Sequence, residues 1–205
     1  MDYGDLDAMD VDTGDFYTFI VVNPDVTGAN MALLAKHSGA DDYLLRVTNA
    51  NRIQQFIGSA SSGVVTGSTI LSAGTTYIVS GYRTASVSYI RVDGATENFN
   101  TNTNSLSNAR IFHVAGQASA GTVANFDGQI AEIVMGGGTI ETEEIEKVEG
   151  YLVRRFALSS LPSAHSYSDF TPAFGLHGVH NQDLIGELAL DVSGPVVSDT
   201  LAGVV

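Results

Sequence analysis

Along most of this chain apolar and polar residues alternate or apolar residues form short runs, which is the rhythm of strands. "FYTFIVV" (16–22) is apolar on both faces, as a buried central strand requires, and Asn23-Pro24-Asp25 stops it. "MALLAKH" (31–37) comes next. After Gly39, "DYLLRVT" sets Tyr43, Leu45 and Val47 against Leu44, Arg46 and Thr48. "RIQQFIG" (52–58) and "GVVTGSTI" (63–70) are weaker strands bounded by Gly and Ser. "TTYIVSGYRT" (75–84) and "SVSYIRVDGATENF" (86–99) form the clearest pair. In the second, Ile90 and Val92 face one way and Tyr89 and Arg91 the other, and Asp93-Gly94 predicts a tight hairpin turn. The Asn/Thr/Ser run 100–108 predicts a loop. "RIFHVAG" (110–116) and "FDGQIAEIVM" (126–135) bring the total to about ten short strands, at the spacing of a sandwich or barrel.

At Thr142 the rhythm becomes helical. Ile145, Val148, Tyr151, Leu152 and Phe156 recur at helical spacing and form one apolar stripe. Thr142 is the expected N-cap, Glu143, Glu144 and Glu146 lie in the first turns, and Arg154 and Arg155 suit the C-terminal dipole. Gly136-Gly137-Gly138 lets the chain reverse so that the stripe buries against the preceding sheet.

The two ends differ in character. Residues 1–15 carry six aspartates (2, 5, 7, 10, 12, 15) and few apolar anchors, so 1–13 reads as an acidic leader before a domain over 14–158. After Leu158 the chain has no Lys or Arg, and Pro162, Pro172 and Pro195 punctuate it. "LIGELALDV" still alternates Leu188, Leu190 and Val192 with Ala189 and Asp191, so 159–205 reads as an extended arm. Such an arm suits addition to a sheet edge of a neighbour, which predicts a homo-oligomer, a trimer by preference, or an arm ordered only on the virion surface; the alternative is that it folds back as extra strands of its own sandwich.

Composition narrows the partners. Nine basic against 23 acidic residues give a net charge of −14, a field that repels phosphate backbones and anionic lipid. Neither nucleic acid nor a membrane is an expected partner. There is no Cys, so no disulfide framework or thiolate metal site. "MDYGDLDAMD" is acidic where a signal peptide would be basic, and no stretch approaches the roughly 18 apolar residues of a membrane span.

Four stretches, "GDFYTFIVVNPD", "LLAKHSGADDYLLRV", "SYIRVDG" and above all "FDGQIAEIVM…TIETEEIEKVEGYLVRRFAL", resemble the concanavalin A-like lectin/glucanase superfamily in its laminin G-like form. The match covers roughly residues 14–158. The resemblance implies an all-β fold: an antiparallel β-sandwich (jelly roll) whose last core strand exits into one short helix. The ending "EGYLVRRFALSSLPSAHSY" looks most like such domains in bacteriophage and environmental bacterial proteins. The pattern departs from the family near Glu141-Thr142, where a serine or aspartate often opens the helix.

Catalytic chemistry is hard to find. The glucanases of this superfamily carry Glu-x-Asp-x-x-Glu on one strand, and no such triplet occurs here. Glu187 and Asp191 lie in the arm. Glu132, in the row of Ile130 and Val134, is a lone acid best read as structural, with a hydrogen-bond or arginine partner. No Gly-x-Ser-x-Gly elbow exists, and His37, Ser38, Asp41 and Asp42 read as a turn rather than a triad. The resemblance brings calcium as the usual cofactor, and Asp10, Asp12 and Asp15 in "DVDTGD" are candidate ligands. That stretch fails the EF-hand pattern, with Gly14 one place early and Val21 at the bidentate Glu position. His177 and His180 are too few for a zinc site within one chain. For sugar, Tyr43, Tyr77 and Tyr89 fall on core strands, and the Asn-rich stretch 98–108 offers hydrogen bonds without an aromatic.

Together these readings favour a non-enzymatic phage virion protein made without a signal peptide, a capsid decoration protein bound to the major capsid or another virion protein at the virion surface. The alternative is a carbohydrate- or receptor-binding lectin-like domain of a tail fibre or bacterial surface protein. A third, weaker candidate is a degenerate glucanase.

Overall fold

The computed structural model describes residues 2–5, 10–25, 27–36, 43–58, 63–116, 124–158 and 161–168. All fall in the first of the two units into which the chain divides, Met1–Thr171 and Pro172–Val205. The alternating stretch from Leu184 to Val192 lies outside the described residues.

Twelve strands and one helix follow in order: β1 (Asp2–Asp5), β2 (Phe16–Pro24), β3 (Met31–Lys36), β4 (Tyr43–Val47), β5 (Ile53–Ile57), β6 (Val64–Thr66), β7 (Tyr77–Thr84), β8 (Val87–Val92), β9 (Ala95–Thr101), β10 (Ile111–Val114), β11 (Ala124–Asn125), β12 (Gly128–Gly137) and α1 (Thr142–Phe156). They form two sheets. Sheet A runs β1-β10-β3-β4-β5-β6, with the short β11 parallel to β3, and sheet B runs β12-β2-β7-β8-β9. Every pairing except β11 with β3 is antiparallel. Inward side chains such as Phe16, Ile20, Leu33, Leu45, Ile53, Val79 and Ile90 meet between the sheets. The other face of sheet B buries Phe19, Val21 and Ile78 against Ile145, Leu152 and Val153 of α1. The helical stripe therefore covers the sheet it follows, as expected from its spacing.

Three details revise the expectations. The helix cap is Glu141, not Thr142: its N–H donates to the Glu144 carboxylate at 3.0 Å, a reciprocal capping arrangement with glutamate in place of serine. On β12 a bulge between Ile130 and Glu132 shifts the register, so Ile130 packs inward while Glu132 shares the outward face with Val134. Glu132 is thus not in the row of Ile130. Residues read as leader and arm also join the sandwich. β1 pairs with β10, and Leu161 and His165 are buried on sheet B and α1.

The asparagine run has a purpose that a loop reading hides. Asn98 and Asn100 on β9 donate side-chain N–H groups to the Thr66 and Val64 carbonyls, and Asn102 and Asn104 both donate to the Ile57 carbonyl at 3.2 and 2.8 Å. Residues two apart on an extended chain point the same way. The four amides therefore reach back together and close the β6–β9 side of the sandwich, where backbone pairing between the two sheets is absent. Replacing both Asn102 and Asn104 by Ala leaves the buried Ile57 carbonyl without these donors. The expected cost is about 1–3 kcal/mol in denaturant unfolding, with the m-value unchanged.

Candidate functional site

The acidic turn at residues 10–15 surrounds buried cations of the protein itself. Lys36, sealed at the sandwich end, donates to Asp10 at 2.7 Å. Burial alone would raise the Asp10 carboxyl, but the Lys36 ammonium and the Asn108 N–H outweigh it and hold its pKa below the ordinary value. The buried guanidinium of Arg83 donates to the carbonyl oxygens of Asp12, Gly14 and Asn104. Burial lowers the Arg83 pKa, and the Asp15 and Asp12 charges offset part of that. The Asp15 carboxylate accepts from the Ala85 N–H at 3.1 Å and the Thr139 hydroxyl at 2.9 Å, which holds the β7–β8 turn, where Ala85 and Ser86 both have positive φ. Asp10, Asp12 and Asp15 thus serve different partners. Among the described residues no three Asp, Glu or His side chains form a group that could hold a metal ion. Chelation with EDTA should leave the melting temperature unchanged; a drop of ten degrees or more would support the calcium reading.

Glu132 has the partners expected of a structural acid. The Tyr151 hydroxyl donates to it at 3.2 Å, and Arg155 Nε lies 2.8 Å from its other oxygen as an ion pair. His37, Ser38, Asp41, Asp42, His177, His180, Glu187 and Asp191 lie outside the described residues.

A buried polar cluster beneath α1 was not foreseen. Glu149, fully buried, accepts from Ser80 Oγ at 2.7 Å, from Arg91 Nε and Nη2 at 2.9 and 2.8 Å, and from His165 Nε2 at 3.0 Å. Because His165 Nδ1 accepts the Tyr167 N–H at 3.1 Å, the imidazole proton sits on Nε2 and points at the carboxylate. Burial opposes the Glu149 charge, yet His165, Arg91 and Ser80 outweigh it and depress the pKa. The signal in the sequence was a glutamate on the helical stripe itself, four residues after Ile145 and three before Leu152. No nucleophile is poised here, since every donor points at the carboxylate and the helix excludes solvent. Glu149→Gln leaves Arg91 buried beside a neutral amide, and the expected loss is about 3–5 kcal/mol. The depressed folded pKa means this contribution is complete above the unfolded value and disappears as pH falls through the folded one. The variant should therefore show a flatter acid limb than the parent in unfolding measured from pH 7 to pH 3.

Outside α1, the outward face of sheet B carries a row of rings. Register places Tyr17 opposite Tyr82, Tyr82 opposite Tyr89, and Tyr89 opposite Phe99. Tyr82 is buried and stacks on Tyr89 with centroids 4.9 Å apart and planes 14° from parallel, and Phe99 follows at 5.8 Å and 37°. Burial pushes the Tyr82 phenol up to about 12. Phe99 is 64% exposed, the only exposed aromatic ring among the described residues. Tyr89 lies on a core strand as expected, but its ring points away from the space between the sheets, and the Asn-rich stretch does contain an aromatic residue, Phe99. No linear pattern reveals this row, because its members meet only through strand pairing.

Two other surfaces are poorer candidates. On the outer face of sheet A, Arg46 lies 4.6 Å over the Phe56 ring and donates through Nε and Nη2 to Gln54, whose amide donates to Thr66. Those groups satisfy one another. A groove of about 380 Å³ beside β12 is lined by Val114, Phe126, Ile130 and Ile133, and its acid, Glu132, is already paired with Arg155.

No family model matches the chain, and no curated protein matches its sequence. Solved structures do. A putative carbohydrate-binding protein from Bacteroides ovatus is 12% identical over 65% of this chain and 40% of its own, with a TM-score of 0.55. Domain 4 of the extracellular arabinanase AbnA from Geobacillus stearothermophilus, solved with arabinotriose, is 11% identical over 70% and 69%, with a TM-score of 0.54. The CBM40 domain of the Ruminococcus gnavus IT-sialidase, bound to sialyllactose, is 14% identical over 64% and 80%, with a TM-score of 0.52. The fold is an antiparallel β-sandwich of the jelly-roll kind. This chain spans two fifths of the B. ovatus protein and 24% of a Trypanosoma rangeli sialidase that it also resembles, 18% identical over 72% of this chain with a TM-score of 0.53. At such identities the likeness concerns architecture.

Proposed function

We propose that this protein is a non-enzymatic carbohydrate-binding domain whose ligand meets the exposed end of the aromatic row. The observation that carries the reading is Phe99, a large apolar ring held open to solvent on a rigid stack that the core does not require. Ile70 and Ile111 are exposed singly, whereas Phe99 extends a row of rings, and a flat ring offers the C–H face of a sugar a close contact. The fold likenesses support the same reading, since they fall among domains named for carbohydrate binding or solved with oligosaccharides. They favour the lectin-like alternative over the virion expectation, which rests on sequence resemblance alone. Non-enzymatic action is supported by Glu132 and Glu149, each engaged by cations of the protein instead of flanking an open cleft as a glycosidase pair would.

In native gels containing a soluble polysaccharide, the full chain should migrate more slowly on at least one polymer of a panel of arabinan, xylan, β-glucan and galactan. The same polymers should release no reducing ends on prolonged incubation. Unchanged mobility on every polymer, and no binding to a glycan array, would remove the carbohydrate reading; reducing ends lost in Glu132→Gln would make the protein an enzyme.

A further inference from the structure

We infer that the Tyr89–Phe99 end of the row takes an uncharged pyranose stacked on the open face of Phe99, and that the site discriminates against anionic glycans. This rests on the carbohydrate-binding reading and adds the class of sugar and the residue that receives it.

Stacking order identifies the receiving ring. Tyr82 and Tyr89 lie nearly parallel on neighbouring strands, so each covers a face of the other. Phe99 stands on the edge strand β9, with Tyr89 on one side and no further strand of sheet B on the other. It is the ring of the row with a face left for a ligand. Its position is held from below by a buried root, so little ordering is needed on binding.

The edge excludes the competing occupant, an added strand. The Phe99 N–H already donates to Asn98 Oδ1 at 2.9 Å, and the β8–β9 register shifts between Ile90 and Arg91. Asn98 and Asn100 direct their amides to β6. A bulged edge with a capped N–H does not template regular pairing. What remains open is the ring and, two residues along the same face, the exposed Thr101, about 7 Å away by strand rise. An apolar face beside a hydroxyl matches a pyranose, which presents C–H groups on its face and hydroxyls at its rim.

Charge decides the class. The cations of sheet B and α1 have partners: Arg91 is held by Glu149, Lys147 by Glu143 and Arg155 by Glu132, while Arg154 stands over the Tyr167 ring. Arg83 is turned inward to carbonyl groups. The acids nearest the row in sequence are Asp15, two residues before Tyr17, and Glu97, two before Phe99, whose carboxylate is held on the β6 side by Ser68 and Thr69. A carboxylate or sulfate on the ligand would meet a field from a chain of net charge −14, and the guanidinium groups of Arg91 and Arg155 on this face are already paired.

The test is calorimetric titration of the full chain at low ionic strength with lactose, cellotriose, xylotriose and arabinotriose, and with 3′-sialyllactose and choline as charged probes. Three proteins are compared: the parent, Phe99→Ala and Thr101→Arg. The expected result is binding of at least one neutral oligosaccharide, weakened tenfold or more by Phe99→Ala with the melting temperature unchanged. Sialyllactose should bind at least tenfold more weakly than lactose or not at all, and Thr101→Arg should narrow that gap. Sialyllactose binding more tightly than the neutral sugars overturns this inference and leaves the carbohydrate reading standing, as does neutral binding indifferent to Phe99→Ala. Choline bound with no sugar overturns both, in favour of a cation site.

Discussion

Glu149 holds a full negative charge against a sheet face otherwise packed with aromatic and aliphatic side chains, and the placing of everything on that face follows from how the charge is satisfied. Its partners come from three separate parts of the chain: Ser80 on β7, Arg91 on β8 and His165 beyond the helix. A buried carboxylate stripped of such partners would cost several kcal/mol, so α1 has one acceptable position over sheet B, where all of them reach. Apolar packing of Ile145, Leu152 and Val153 would tolerate sliding, since one aliphatic contact resembles the next. Hydrogen bonds at 2.7 to 3.0 Å do not. The hydrophobic stripe supplies adhesion and the buried ions supply register.

The cluster also seats the chain after the helix. His165 reaches Glu149 only because Leu161, Pro162 and His165 pack over Gly94, where an added Cβ would lie within 2.7 to 3.3 Å of all three. Gly94 is thus required twice, once by its positive φ in the β8–β9 turn and once by the segment lying on it. Tyr167 similarly lies on Gly150 of α1. Two glycines that look like ordinary turn and helix residues mark where residues 161–168 cross the domain.

Strand positions and the single helix were readable because they depend on local periodicity: "FYTFIVV" could hardly be anything but a central strand, and Asp93-Gly94 could hardly avoid a turn. What depended on pairing was not readable. The bulge that turns Ile130 inward leaves no mark in "GQIAEIVM", and the Ala85–Ser86 turn relies on Asp15, seventy residues away in sequence. Asn98, Asn100, Asn102 and Asn104 did carry a visible period of two, but polar composition suggests a loop unless one asks which carbonyls the amides could reach. The aromatic row is the extreme case. Its four members are spread from residue 17 to residue 99 and become neighbours only when β2, β7, β8 and β9 align.

Why the rings should be open at all is a matter of widths. Five strands about 4.8 Å apart make a face roughly 19 Å across between outer strand axes, and a helix with its side chains is about 10 Å wide. One helix therefore cannot cover sheet B. α1 lies over β2 and β7, and Glu132 on β12 is reached by Arg155 from the helix side. That leaves β8 and β9. At the Asp93–Gly94 end the gap is filled by residues 161–168, but toward Val87 and Thr101 none of the described residues packs over the sheet, and there the outward side chains include the rings of Tyr89 and Phe99. A polar row would have served solubility equally well on this strongly acidic chain, and the β9 edge is already guarded by Asn98. Stability does not explain an exposed Phe99, and neither does edge protection. Among the described residues this is the stretch of sheet B that neither α1 nor residues 161–168 cover, and the proposed sugar contact is placed there because Phe99 stands open at it.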